Sequence, residues 1–123
     1  MFKDSKAFSG FAVDDLEAAK RFYGETLGVE LEDAGPGLSL KVGGDRPIFV
    51  YPKPGHTPAE YTILNFPVDD IDAAVDELES RGVEMLRYEG FDQDEKGIMR
   101  EQGPNIAWFT DPAGNVLSVI EQG

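Results

Sequence analysis

Two stretches of the chain have the apolar patterning of strands. They are AFSGFAV (Ala7–Val13) and YTILNFPV (Tyr61–Val68), both rich in aromatic and β-branched side chains. Each runs into a pair of aspartates, Asp14-Asp15 and Asp69-Asp70, and then into a segment with a period of about 3.6 residues. Leu16, Ala19, Phe22, Tyr23 and Leu27 share one face and predict a helix running to about Leu27. Ile71, Ala74, Val75 and Leu78 do the same for a second helix, which Gly82 would end from the left-handed region. One aspartate of each pair stands where a helix N-cap is wanted, and acids in the first turn favour the helix dipole. Short apolar runs then predict strands over Glu30–Glu32, Leu38–Val42 and Pro47–Tyr51, broken by Gly35-Pro36-Gly37 and Gly43-Gly44. In the second half they predict strands over Glu84–Arg87, Ile106–Thr110 and Val116–Glu121.

The two halves repeat one another. Val13-Asp14-Asp15-Leu16-Glu17-Ala18-Ala19 returns as Val68-Asp69-Asp70-Ile71-Asp72-Ala73-Ala74 at an offset of 55, and Gly28-Val29-Glu30 returns as Gly82-Val83-Glu84 at an offset of 54. Each half therefore reads β-α-β-β-β and is too small to enclose a core of its own. The fold predicted is α+β: two tandem βαβββ modules forming curved mixed sheets around a cleft, with the helices on the outer face. One domain is expected over residues 1–123, with module one at about 5–52 and module two at about 61–122. The Pro-rich YPKPGHTPAE (Tyr51–Glu60) links them, at about 52–60. YEGFDQDEKGIMREQGPN (Tyr88–Asn105) is the long irregular loop. The cleft is the default site.

Composition narrows the chemistry. With no cysteine there is no disulfide, thiolate metal site or cysteine nucleophile, and His56 is the single histidine. A lone imidazole in the Pro-rich linker reads as a solvated loop residue. No GxSxG turn presents a serine, and GPGLSLKVGG lacks the GK[ST] ending of a phosphate loop. A net charge of −13, from 24 acids against 11 bases, repels nucleic acid and anionic membrane and attracts cations. It reads either as a solubility coat or as an acidic setting for a basic ligand. The carboxylates of DQDEK (Asp92 to Lys96) form a charged loop run, with a weak cation site as the alternative to a solvated face. No apolar run approaches the ~20 residues of a membrane span. The N-terminus has no long apolar signal core, so a cytoplasmic location is expected.

The paired VDDL…FYxxxLGVE and VDDI…LxxRGVE segments and the closing FTDPAGNVLSV resemble the vicinal oxygen chelate superfamily over essentially the whole chain. That group contains glyoxalase I, the bleomycin resistance proteins and the extradiol dioxygenases. The resemblance implies metal-ligand positions on the first and last strands of each half. Seven residues before Asp15 stands Phe8, seven before Asp70 stands Ile63, and seven after Asp111 stands Ser118. The fourth position falls near Ile48 or Val50. A divalent ion needs several good donors, so no metal and no cofactor are expected. Glu121 is close to Ser118 in sequence, but alternation puts Val116, Ser118 and Ile120 on one face and Leu117, Val119 and Glu121 on the other.

Alternation brings Phe8, Gly10 and Ala12 to the cleft, with Ile48, Val50, Ile63, Asn65 and Ser118. That set is apolar with one amide and one hydroxyl, although Phe8 and Ile63 alternatively fill the space a metal would take. Gly10 leaves room there. Trp108 is placed to stack a flat ligand or to anchor a core or dimer interface. Tyr88, Phe91, Ile98 and Met99 would lid the cleft, or pack on the sheet edge. The leading expectation is a metal-free binder of a hydrophobic or aromatic small molecule, cationic ones included, resembling the drug-sequestering bleomycin-resistance type. The alternatives are a glyoxalase- or isomerase-like enzyme with a non-standard site, and a regulatory or interaction module with a vestigial cleft. The resemblance also implies a homodimer.

Overall fold

The structure, a computed structural model, describes residues 1–43 and 46–122; Gly44, of the expected Gly43-Gly44 break, lies outside them. The protein is α+β and divides into two compact units, Met1–Thr57 and Pro58–Gly123. Each unit has one mixed sheet and one helical segment. Among the described residues no helix is long and apolar enough to cross a membrane.

In the first unit β1 (Gly10–Val13) leads into α1 (Leu16–Lys20), which continues as a π-helical segment, Arg21–Thr26. Three strands follow, β2 (Glu30–Ala34), β3 (Gly37–Lys41) and β4 (Ile48–Pro52). The sheet order is β1-β4-β3-β2, with β1 parallel to β4 and the other pairs antiparallel. The helix extends as far as expected but loosens its pitch, because the Leu27 N–H donates to the Phe22 carbonyl five residues back at 2.9 Å. In this wider turn Tyr23 is fully buried, edge-on to Phe22 at 5.2 Å and tilted against Phe11 of β1 at 5.8 Å. That contact identifies the face of the sheet the helix covers.

In the second unit β5 (Thr62–Val68) leads into α2 (Ile71–Ser80), followed by β6 (Ile106–Thr110) and β7 (Val116–Glu121). The order is β5-β7-β6, with β5 parallel and β6 antiparallel to β7, and α2 packs on β6 and β7. Ile71, Val75 and Leu78 are its buried stripe. Gly82, at φ +85°, ends the helix two residues on, as the sequence predicts.

Of each aspartate pair, the second member is the cap. Asp15 and Asp70 hold extended backbones and accept the N–H of the residue three further on, Ala18 and Ala73, each at 3.1 Å. Helix α2 has a second cap from outside. Glu121, at the end of β7, accepts the Ile71 N–H through Oε2 at 2.9 Å and the Asn105 side-chain N–H through Oε1 at 2.8 Å. A carboxylate at a helix N-terminus meets unsatisfied donors and the positive end of the dipole together.

The strand expected over Glu84–Arg87 does not form. One bond, from the Leu86 N–H to the Trp108 carbonyl at 2.8 Å, ties this segment to β6. A side chain takes further backbone groups at and just beyond its end. Gln93 accepts the Tyr88 N–H at 2.7 Å and donates to the Leu86 and Gly97 carbonyls at 3.0 and 2.7 Å. One amide thus does the work of a neighbouring strand and bends the chain into the long loop.

These caps set a stability expectation. Asp15→Ala and Asp70→Ala should each cost about 1 kcal/mol, and Glu121→Ala about 1–2 kcal/mol because it strands a part-buried N–H. Urea unfolding followed by circular dichroism reads all three. A Glu121→Ala variant as stable as the parent would contradict its capping role.

Candidate functional site

In the first unit, β4 is read off its neighbours. Val50 pairs with Phe11 and with Leu38, and Phe11 touches Tyr23 of the helical layer. Val50 is therefore core on the helix side and fully buried, which corrects its expected place in the cleft. Alternation then puts Phe49 and Tyr51, rings 5.7 Å apart and nearly parallel, on the opposite face with Gly10 and Ala12. Sequence reasoning missed this aromatic pair, although the buried Val in the middle of IFVYP was the signal available.

Gly10 also needs a different account. A Cβ there would stand 2.8 Å from the Phe49 carbonyl oxygen, so the missing side chain makes room for β4 and not for a ligand. Phe8 precedes β1 and is 65% exposed, so it does not fill an interior space. It lines a cavity of about 330 Å³ with Ala7, Ser9, Arg46, Pro47 and Ile48. His56 is half-buried, not the solvated ring expected; its Nε2 is shut from water and has no hydrogen-bond partner among the described residues.

In the second unit, Asn65, Ser118 and Trp108 form one row across β5, β7 and β6. The row lies on the face away from α2, since Glu121 on the other parity reaches the Ile71 N–H. Ser118 is fully buried and its hydroxyl donates to Asn65 Oδ1 at 2.5 Å. The Trp108 indole N–H donates to Thr62 Oγ1 at 3.1 Å, so the ring reaches over β7 to β5. That bond exposes a departure from plain alternation. The β5–β7 register shifts between Thr62 and Leu64, leaving Ile63 as an extra residue and placing Thr62 on the face of Asn65. Nothing in the TILN run signals the bulge.

Tyr88, Phe91 and Trp108 form a three-ring cluster with centroid separations of 5.3, 5.4 and 5.6 Å. Trp108 is 7% exposed and Phe91, the outer ring, 49%. Burial pushes the Tyr88 phenol up from its ordinary pKa and keeps it neutral. The other two residues expected in a lid belong elsewhere. Ile98 is fully buried in the core, and Met99 exchanges backbone bonds with Ile106 at 2.9 and 3.1 Å, covering the edge of β6. The loop from Tyr88 to Asn105 is thus a fixture of the sheet edge.

Asp94 organises that loop. Its Oδ1 accepts the Lys96 and Ile98 N–H groups, each at 2.9 Å, and its Oδ2 accepts from Arg100 at 2.9 Å. Arg100 continues to Asp72 of α2 at 2.8 Å, and Arg87 donates to the Asp94 and Glu95 carbonyls. Burial pushes the Asp94 carboxyl up, but these donors together outweigh it and hold it below its ordinary 3.8. Asp72 is lowered too, by its hydrogen bond from Arg100. Asp94 and Asp72 are thereby committed to the fold and are not available to a cation.

The family's metal can be tested against the residues present. Phe8, Ile48 and Ile63 offer no donor, Val50 is core, and the Ser118 hydroxyl is spent on Asn65. Among the described residues no three His, Cys, Asp or Glu side chains converge on a point an ion could occupy. The donor set does not fit a divalent ion.

Repeated β-α units with mixed sheets, a helical segment on one face of each, and a closing DPAGN turn before the last strand define a family architecture. A profile of the Glyoxalase/Bleomycin resistance protein/Dioxygenase superfamily matches residues 8–119, and the chain belongs to that superfamily. Among solved structures it is similar to TnmS3, an antibiotic binding protein from Streptomyces sp. CB03234. The two are 27% identical, with 98% of each chain covered and a TM-score of 0.68. A glyoxalase/bleomycin resistance protein from the same organism is 28% identical over 93% of this chain and 99% of that one, with a TM-score of 0.61. The fosfomycin resistance protein FosX from Listeria monocytogenes shares the fold at 15% identity, covering 98% of this chain and 94% of that one, with a TM-score of 0.72. No curated protein gives a significant sequence match.

Two expectations follow from this geometry. Gly10→Ala should destabilise by about 1–3 kcal/mol, because the Phe49 backbone cannot yield, and a shifted urea midpoint checks it. The lowered Asp94 and Asp72 contribute stability that is present above their unfolded value of 3.8 and is lost as pH falls through the lower folded values. Trp108 emission should therefore hold steady from neutral pH to about pH 4 and change only below it. A transition near neutrality would show that other groups hold the loop.

Proposed function

We propose that the protein is a metal-independent binder of hydrophobic or aromatic small molecules, cationic ones included, of the drug-sequestering kind. The observation that carries this reading is the second unit's sheet face. Where metal-dependent members of the family carry a carboxylate, Ser118 is bonded to Asn65, and beside it stands the Tyr88–Phe91–Trp108 cluster. A face with aromatic rings and one amide holds a flat molecule by burial and stacking.

The likeness to TnmS3 supports the same reading, since that protein is an antibiotic binding protein and matches 98% of this chain. The net charge of −13 favours ligands with a positive group over anionic ones. The cavity beside Phe8 and Arg46 is the lesser candidate, because its one charged side chain is cationic and exposed. Homodimerisation is part of the proposal, and sedimentation velocity of the purified protein reads it.

A thermal-shift screen of planar aromatic and cationic compounds should find ligands that raise the melting temperature, since a ligand selective for the folded state stabilises it by mass action. Those ligands should quench Trp108, and Phe91→Ala should weaken them up to about tenfold, the size of one stacking contact. Stoichiometric transition metal in the purified protein, with ligand shifts abolished by a chelator, would overturn the metal-independent reading.

A further inference from the structure

We propose that Ser118 and Asn65 act as a unit that selects ligands carrying a hydrogen-bond acceptor, such as an aromatic ketone, over ligands carrying only a donor. This rests on the binding function above and adds what the site discriminates. An amide side chain offers a carbonyl acceptor at one end and two N–H donors at the other, and free rotation would let it serve either kind of ligand. Here rotation is prevented. Ser118 is fully buried, cut off from water, and its hydroxyl proton goes to Asn65 Oδ1 at 2.5 Å. A buried hydroxyl left without an acceptor is unfavourable, so the bond fixes which end of the amide faces inward.

The other end is what a ligand meets. Asn65 is exposed, and its Nδ2 makes no hydrogen bond among the described residues. Two other polar groups of the row are engaged. The Trp108 N–H is held by Thr62, and the Ser118 hydroxyl by Asn65. The row therefore presents an oriented N–H₂ donor, next to an indole that reaches over to the same strand. A flat ligand resting against the rings brings its edge to that donor. A carbonyl there gains a bond, whereas an N–H there faces another N–H and leaves both unpaired.

Fluorenone and carbazole test this directly, because they are planar tricycles of one shape that differ by a carbonyl acceptor against an N–H donor at the same position. By equilibrium dialysis, the parent protein should bind fluorenone about tenfold more tightly than carbazole. Asn65→Asp keeps the acceptor for Ser118 but replaces the presented donor with a carboxylate oxygen, and should reverse the order. Ser118→Ala frees the amide to turn, and should bring the two affinities to within about twofold. A parent preference for carbazole, or a fluorenone preference that survives both substitutions, overturns the proposal while leaving small-molecule binding intact. Failure of both probes and of the wider aromatic screen to bind the parent overturns the binding function itself, and this proposal with it.

Discussion

A strand bonded on both sides cannot choose which way its side chains face. β7 is the middle strand of the second sheet, held in register by β5 along one edge and by β6 along the other. Sliding it by one residue would turn Leu117 and Val119 away from the helix side and bring Ser118 to it, a change two ladders oppose together. The assignment of its residues to faces is thereby fixed. Glu121 goes to the helix side, where the Ile71 N–H and Asn105 use both its oxygens. Ser118 goes to the other side, where its neighbour is an amide. The carboxylate at the end of this strand is a helix cap because its position has the wrong parity for anything else.

The same rule explains the contrast between the two units. In the first, the face away from the helix holds the stacked Phe49–Tyr51 pair and Gly10, whose lack of a side chain lets β4 approach. In the second, the equivalent face has polar groups paired off one against another, Trp108 with Thr62 and Ser118 with Asn65. Internal pairing of this kind keeps polar atoms in an otherwise apolar setting without the cost of leaving them bare. It also subtracts the indole N–H and the Ser118 hydroxyl proton from the groups a ligand can use, and leaves the Asn65 N–H₂ as the oriented donor on that face.

Much of this was legible in the sequence, and the failures share a cause. Ile106–Thr110 and Val116–Glu121 are strands with the bounds their patterning predicts, and Asp15 and Asp70 cap helices because both halves repeat the same turn. What could not be read was anything decided by one residue of register or by one long-range side chain. The bulge at Ile63 moves Thr62 onto the face of Asn65, and its only trace is the pairing with β7. Gln93 replaces a strand at Leu86 and Tyr88 by bonds spanning five and seven residues, which no local propensity encodes. Val50 and Ile98 look like any apolar residue near a pocket, and only the packing of the core claims them.

The π-helical segment bears on the mismatch in length between the two repeats. The repeat offset is 55 residues before the first helix and 54 after it, so the first half carries one residue more than the second between Val13 and Gly28. That surplus falls within the stretch that holds Arg21–Thr26, where Leu27 bonds five residues back in place of four. A π turn encloses one more residue than an α turn, so a single insertion can be housed there while the strands on either side keep their places. The π segment thus coincides with the one-residue difference in length between the two halves, and Tyr23 is buried within it.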